Sequence, residues 1–221
     1  KEYRFKIQEG TNIFDLKKLL LSSKLKLDCP DLNCLNNQLN FIEGTLMPET
    51  YFYNFNSPAS NILIKSQDSF IEYAQLLWEK KQPSNPLKSL DEAIILASIV
   101  EKEAGNNKEK PIIAGVFLNR LNLNMRLQAD PTIIYGLLPN FNGNITKLNL
   151  QDSSNRYNTY KIKGLPPTPI AMISKSSLEA VILGIPNNYV YFVAKGDGTH
   201  YFSTKYSDHL KAVRKFQLNK S

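Results

Sequence analysis

The sequence predicts an α+β fold, helices with a few short strands, and three observations carry that prediction. Several stretches place apolar residues at helical spacing, the most regular running from Leu90 to Ala104. Two short stretches, near residues 3–7 and around 189–204, read instead as strands. No β-α-β alternation connects them, which argues against a parallel sheet wrapped by helices. At 221 residues the chain fits one large domain or two small ones, and it is long enough for a real core.

Taken in order, Tyr3 to Ile7 alternates apolar and charged residues as a half-buried strand does. Gly10 turns the chain, and Thr11 to Leu21 is an amphipathic helix capped by Thr11 or Asn12. Asp28 to Asp31 is a turn. Phe41 to Tyr53 is dense in aromatic residues, suited to core packing or to stacking on sugar faces. Ser69 to Lys80 is a helix with Phe70, Tyr73, Leu76 and Leu77 on one face. Residues 82–86, with two prolines, read as a linker.

Leu90 to Ala104 has a marked start, because Ser89 stands three residues before Glu92 in a capping box. Gly105 supplies its stop. Ala93, Ala97, Val100 and Ala104 share one face, widened by Ile94, Leu96 and Ile99, while Asp91, Ser98 and Lys102 mark a wet edge. Pro111 opens a second helix, Ile112 to Asn122, and Asp130-Pro131 signals a third, with Asp130 as its cap. Thr146 caps a short helix to about Asp152. Tyr157 to Pro169 is an extended, proline-rich loop. Ser174 or Ser176 caps a helix through Leu183. Tyr189 to Ala194 and His200 to Thr204 form a hairpin about the Lys195 to Thr199 turn, and Ser207 to Leu218 is a closing helix.

Composition narrows the function classes. No apolar run approaches the roughly 18 residues of a membrane span. The net charge of +7 suits polyanions: nucleic acid, anionic headgroups, or glycan strands whose stem peptides carry carboxylates. The basic residues are scattered, and no nucleic-acid motif accompanies them, so no nucleic-acid partner is expected. Cys29 and Cys34, with only His200 and His209 beside them, are too few for a zinc site, and no metal is expected. They form a local disulfide in an extracytoplasmic protein or stay as buried thiols in the cytoplasm.

The chemistry centres on Glu101 and Glu103, which fall within or beside the apolar surface of their helix. Burial disfavours a charged carboxylate, so such a group can stay protonated near neutral pH and act as an acid. The alternative is a pair of boundary residues bridged to Arg or Lys. Glycoside cleavage usually takes two carboxyl groups roughly 5–10 Å apart. Two glutamates two apart on a helix point away from each other and cannot flank one bond. Either a partner comes from Asp130, Asp152, Glu43 or Glu49, or one carboxyl group does both jobs.

Glu101-Lys102-Glu103, then Asn119-Arg120-Leu121, then Met125 to Tyr135 (M-R-L-Q-A-D-P-T-I-I-Y) follow in a fixed order. Tyr157-Asn158-Thr159-Tyr160, Gly164 to Pro167, Tyr191 to Ala194 and His200 to Ser203 continue it. From about Phe41 to the C-terminus this resembles the YceG-like family of endolytic murein transglycosylases, with a weaker echo near the N-terminus. The resemblance implies that Glu103 is the catalytic acid of a lytic transglycosylase. Such an enzyme cleaves the MurNAc-GlcNAc β-1,4 bond with one Glu, which then takes the proton of the C6 hydroxyl and leaves a 1,6-anhydro end. Glu101 would be structural or would orient Arg120. Asn119 and Gln128 would bond N-acetyl groups or sugar hydroxyls, or do nothing as exposed polar residues. Asp130 would support the site or only cap its helix. Tyr157, Asn158 and Tyr160 would touch sugar or simply pack their loop, and His200 is a weaker candidate, structural otherwise.

The resemblance also divides the chain. Residues 1–40 would be the end of a LysM-like module plus a connector, acting as a packing brace or a glycan binder, and 41–221 the catalytic domain. It implies no cofactor, glycan strands as substrate, and peptidoglycan synthases (penicillin-binding proteins) as partners. It further implies an N-terminal membrane anchor absent from this chain, with the catalytic domain facing the extracytoplasmic side of the inner membrane. The rivals are a hydrolytic muramidase and a non-catalytic cell-wall glycan-binding module. The chain departs from the family at Thr168 (more often Gly), at Ile173-Ser174 (more often Pro-Gly) and at Leu210 (usually Asn).

Overall fold

The computed structural model describes residues 1–36, 38–141, 143–184 and 187–218. Among these, eight α-helices accompany two separate two-stranded antiparallel sheets, the expected α+β fold. Strand β1 (Glu2–Lys6) pairs with β2 (Thr50–Asn54) in the register Tyr3 to Tyr53 and Phe5 to Tyr51. Alternation turns Phe5, Tyr51 and Tyr53 inward and leaves Arg4 and Phe52 in solvent. Helix α1 (Ile13–Ser22) starts at Asn12, whose side chain accepts from the Asp15 N–H. It buries Leu16 and Leu20 beneath the sheet.

Helix α2 (Ala59–Trp78) begins ten residues before the expected start at Ser69. Ser66 and Gln67 hid the periodicity, because they are polar residues at core positions. The Ser66 hydroxyl donates to the Met47 carbonyl, and the Gln67 amide both accepts from and donates to the Asn36 backbone. Burial then costs little, since each polar group is paired. Residues 82–86 are no free tether. Asn85 is buried there, and its amide donates to the Val181 and Ile182 carbonyls.

Helix α3 (Leu90–Glu103) lies at the centre. Ser89 caps the Glu92 N–H, while the Glu92 carboxylate reaches back to the Lys88 N–H. It packs against α2, α4 (Lys110–Asn122), α5 (Asp130–Gly136) and α7 (Lys175–Ile182). Enclosed on so many sides, α3 buries every residue from Ala93 to Val100. Ser98, expected at a wet edge, is therefore fully buried. Its hydroxyl donates to the Ile95 carbonyl and accepts from the Ile170 N–H. Helix α6 (Lys147–Gln151) carries the expected Thr146 cap, and Ser174 caps α7. The chain closes with the hairpin β3 (Tyr191–Ala194) and β4 (His200–Ser203), helix α8 (Tyr206–Val213) and one π-helical turn, Arg214–Leu218.

Two apolar cores result. One surrounds α3; the other lies under the β1–β2 sheet and gathers Phe5, Leu16, Tyr51, Ile62 and Leu63. Because β1 pairs with β2, this second core draws on residues well beyond position 40. Helix α2 feeds both cores, with Ile62 and Leu63 in one and Phe70, Ile71 and Ala74 in the other. The segment 170–173 does the same. Ile170 and Ile173 belong to the α3 core, and Met172 between them belongs to the sheet core. Met172 is stitched to the N-terminal turn by reciprocal bonds, Gly10 N–H to its carbonyl at 2.8 Å and its own N–H to Thr11 at 2.7 Å. Cys29 and Cys34 form a disulfide with Cα atoms 5.4 Å apart. Among the described residues no helix is long and apolar enough to cross a membrane.

Candidate active site

The last turn of α3 delivers Glu103 to the wall of a cavity of about 480 Å³. Arg120 from α4, Gln128, Asp130 from the start of α5, Tyr160 and His200 from β4 line the same space. Burial pushes the Glu103 carboxyl up to about 8. The charge of Asp130 raises it further, and the Arg120 guanidinium opposes both. At neutral pH Glu103 is thus a neutral acid beside an aspartate.

Each neighbour is fixed by bonds that leave Glu103 alone. Arg120 is 6% exposed and spends its donors on main-chain carbonyls, Nε to Val190 at 2.7 Å and Nη1 to Leu127 at 2.6 Å. It therefore ties α4 to the strand entering the hairpin and to the loop before α5, and it presents charge without a direct bond to Glu103. Asp130 is the first residue of α5, after Ala129 as the cap, and its side chain does no capping. Instead its Oδ1 accepts the Tyr160 hydroxyl at 2.7 Å. Burial raises the Tyr160 phenol, and the bond to Asp130 raises it again, so it stays a donor. His200 is held by Glu109, whose carboxylate accepts its N–H at 2.9 Å and meets its Nδ1 at 2.9 Å. Gln128 sits at φ +52°, a left-handed conformation that costs a non-glycine residue energy and occurs often at functional positions.

Part of the cavity wall is aromatic, and the sequence pointed to it only through the Tyr191 to Ala194 motif. Tyr191, Phe192, Tyr206 and His209 line it. The His209 ring stacks on Tyr191 with centroids 5.2 Å apart and planes 24° apart, and Tyr206 lies 5.7 Å from Tyr191. Burial lowers the His209 pKa and the Arg120 charge adds to the effect, both favouring the neutral ring. Its Nδ1 has no hydrogen-bond partner among the described residues. The spacing Tyr206 to His209, three apart on a helix beside the β3 aromatics, was the available signal.

The other candidates lie elsewhere. Glu101 points away from the cavity, into a cluster where Lys110 Nζ sits 3.2 Å from it, and it does not orient Arg120. Ser174, through its N–H and hydroxyl, and Ser177 also donate to it. Burial pushes Glu101 up, but these serine bonds and Lys110 outweigh it and hold the carboxyl below its usual range. Asn119 donates to the Asn187 and Tyr189 carbonyls and so anchors the approach to β3. Asn158 is fully buried, donating to the Asn149 and Asp152 carbonyls and accepting from the Tyr160 N–H. Tyr157 bonds Thr168 and lines a separate recess with Glu43. Of the four carboxylates considered as partners, Asp130 shares the cavity with Glu103. Glu43 lines the other recess, while Asp152 bonds Ser154 and Glu49 faces Lys175. Among the described residues no cluster of His, Cys, Asp and Glu is placed to hold a metal ion.

The family model of the YceG-like family matches residues 1–215. This chain belongs to the YceG-like family. An endolytic murein transglycosylase of Bacillus subtilis is 33% identical over 209 residues, covering 90% of this chain and 56% of that relative. One from Streptococcus pneumoniae is 30% identical over 177 residues, covering 78% of this chain and 32% of its own length. This YceG-like chain thus spans about half or less of these curated relatives. The crystal structure of a YceG-like protein from Listeria monocytogenes superposes with a TM-score of 0.78 at 29% identity, covering 94% of this chain and 75% of that one.

Proposed function

We propose that this YceG-like chain is the catalytic part of an endolytic lytic transglycosylase that cuts glycan strands of peptidoglycan. The observation that carries the reading is Glu103, a neutral carboxylic acid at about pH 7 in the wall of a cavity with an aromatic side. Glu103 gives its proton to the glycosidic oxygen between MurNAc and GlcNAc. The C1–O bond breaks, GlcNAc leaves with a new 4-hydroxyl, and C1 takes oxocarbenium character. The C6 hydroxyl of the same MurNAc attacks C1, and its proton passes to the Glu103 carboxylate. The acid is regenerated and no water is consumed, so one carboxyl group suffices. Burial first, and then Asp130, held by Tyr160, keep Glu103 protonated, and the Asp130 charge suits the positive charge that develops in the same cavity. The aromatic wall of Tyr191, Tyr206 and His209 offers a sugar a flat face.

Asp130 also supports a second reading. A carboxylate in the same cavity as the acid can hold a water for hydrolysis, as inverting glycosidases do. Mass spectrometry of uncrosslinked strands, treated with the protein or with Glu103→Gln, separates the two. Anhydro-MurNAc ends from the unsubstituted protein alone support the transglycosylase. Reducing ends support a muramidase, and binding without product in either supports a non-catalytic module. The family resemblance further supports a LysM-like origin for residues 1–40, a membrane anchor with the catalytic domain on the extracytoplasmic side, and peptidoglycan synthases as partners.

A further inference from the structure

Away from the Glu103 cavity, a second recess of about 560 Å³ opens where α1 meets α5. Its wall holds Glu43, only 3% exposed, together with Phe41, Tyr135, Tyr157 and Thr168. Glu43 Oε2 accepts two donors, the Ile13 N–H at 3.0 Å and the Tyr135 hydroxyl at 2.9 Å. Oε1 has no hydrogen-bond partner among the described residues, and the Gly44 N–H near the carboxyl partly offsets the upward push of burial. A buried carboxyl oxygen without a partner is costly in a fold that needs only the brace between α1 and α5.

The chemistry of the recess is that of a sugar site. Burial pushes Glu43 up to about 7, so neutral and ionised forms coexist near neutrality. Oε2 is already occupied by donors, which leaves Oε1 to carry the proton in one form and to accept in the other. A hydroxyl group satisfies both, being donor and acceptor at once. Tyr135 and Tyr157 pack against each other with ring centroids 4.9 Å apart and planes at 58°, an angled apolar corner against which a pyranose ring can rest.

Position links this recess to the cleavage site. Helix α5 starts at Asp130 in the Glu103 cavity and carries Tyr135 in the second recess, about 7.5 Å along its axis and about 140° around it, so a strand reaching both wraps the helix. The following loop repeats the pairing, with Tyr160 in the cavity and Tyr157 in the recess. We infer that the Glu43 recess is a distal glycan subsite, binding an N-acetylated sugar of the same strand that is cut at Glu103. This rests on the transglycosylase reading and adds to it a reason for cutting within strands: a chain engaged at two points is held away from its end.

The test compares the unsubstituted protein with Glu43→Gln and with Asn40→Trp, the latter an exposed position on the rim where an indole fills the recess. Binding of N-acetylglucosamine hexamer and dimer is measured by amide chemical shifts and titration in a Glu103→Gln background. Cleavage of long and short uncrosslinked strands is measured in the catalytically intact protein. The hexamer is expected to shift Ile42, Glu43 and Tyr157 amides and the dimer not. Asn40→Trp is expected to weaken hexamer binding about tenfold, the scale of one modest contact, and to leave the dimer unchanged. KM for long strands should rise while kcat holds. Equal binding of hexamer and dimer, or a long-to-short ratio untouched by both substitutions, overturns the subsite. Absence of anhydro ends from the unsubstituted protein overturns the transglycosylase reading instead, and the hexamer-to-dimer ratio still decides the subsite.

Discussion

Glu103 and Glu101 are two residues apart and chemically identical, and burial pushes both carboxyls up, yet their partners give them opposite outcomes. Glu103 has charge neighbours but no bond, and it is pushed up to about 8. Glu101 collects serine donors and Lys110, and it is held down. On the proposed mechanism Glu103→Gln is expected to slow cleavage by about 10²–10⁴-fold, measured as anhydro-end release. For the intact protein, kcat/KM should fall as pH rises through about 8, where Glu103 loses its proton. The same shift acts on stability. A carboxyl raised in the folded state binds its proton more tightly there than in the unfolded chain, so stability falls as pH rises between about 4.5 and 8. Glu103→Gln should therefore unfold a few degrees higher than the parent at pH 8.5 and show no such gain near pH 4, by thermal denaturation. Glu101→Ala is the contrasting case. It strands Lys110, whose side chain is 5% exposed, and should cost about 3–5 kcal/mol in a urea titration. That both glutamates are withdrawn from solvent was legible from periodicity alone. Which one meets Ser174 and Ser177 was not, because those donors arrive from a helix some 70 residues away in sequence.

Among the elements, the ones with chemical punctuation were legible. Ser89, Pro111, Thr146 and Ser174 marked helix starts, and Lys195 to Thr199 marked the hairpin. The start of α2 was lost because Ser66 and Gln67 put polar groups on its buried side. The aromatic wall was lost for another reason: it is assembled from β3 and α8, neither of which shows on its own that it faces α3. Gly105 ties these parts together. A Cβ placed there would meet the Gly198 carbonyl oxygen at 2.5 Å, so the end of α3 and the tip of the hairpin approach as closely as backbones can. Gly105→Ala should push the hairpin outward, moving His200 and Tyr191 from the cavity. A loss of about 1–3 kcal/mol in stability is expected, with cleavage falling further than the folded fraction does, as read by parallel denaturation and activity assays.

At the scale of the whole molecule, the α+β class followed from patterning, whereas the pairing of β1 with β2 did not. Some 45 residues separate those strands, and local sequence carries no record of so distant a partner. The disulfide lies in the core that this sheet covers, with Cys29 buried in it. Reducing it frees only a short loop, so the expected loss is about 2 kcal/mol, visible as a drop of several degrees in unfolding temperature with and without reductant. The fold should survive that loss.

The alternation at 170–173 gives the molecule a single kinetic seam. Because Ile170 and Ile173 enter one core and Met172 the other, and because Met172 and the Gly10–Thr11 turn hold each other by main-chain bonds, neither core can loosen without pulling that segment from its neighbour. The two cores then behave as one foldon. The amide hydrogens of Gly10 and Met172 should be among the slowest to exchange with deuterium. A protease trimming back the first strand would not release a tidy remainder; it would unzip the scaffold behind Glu103 as well.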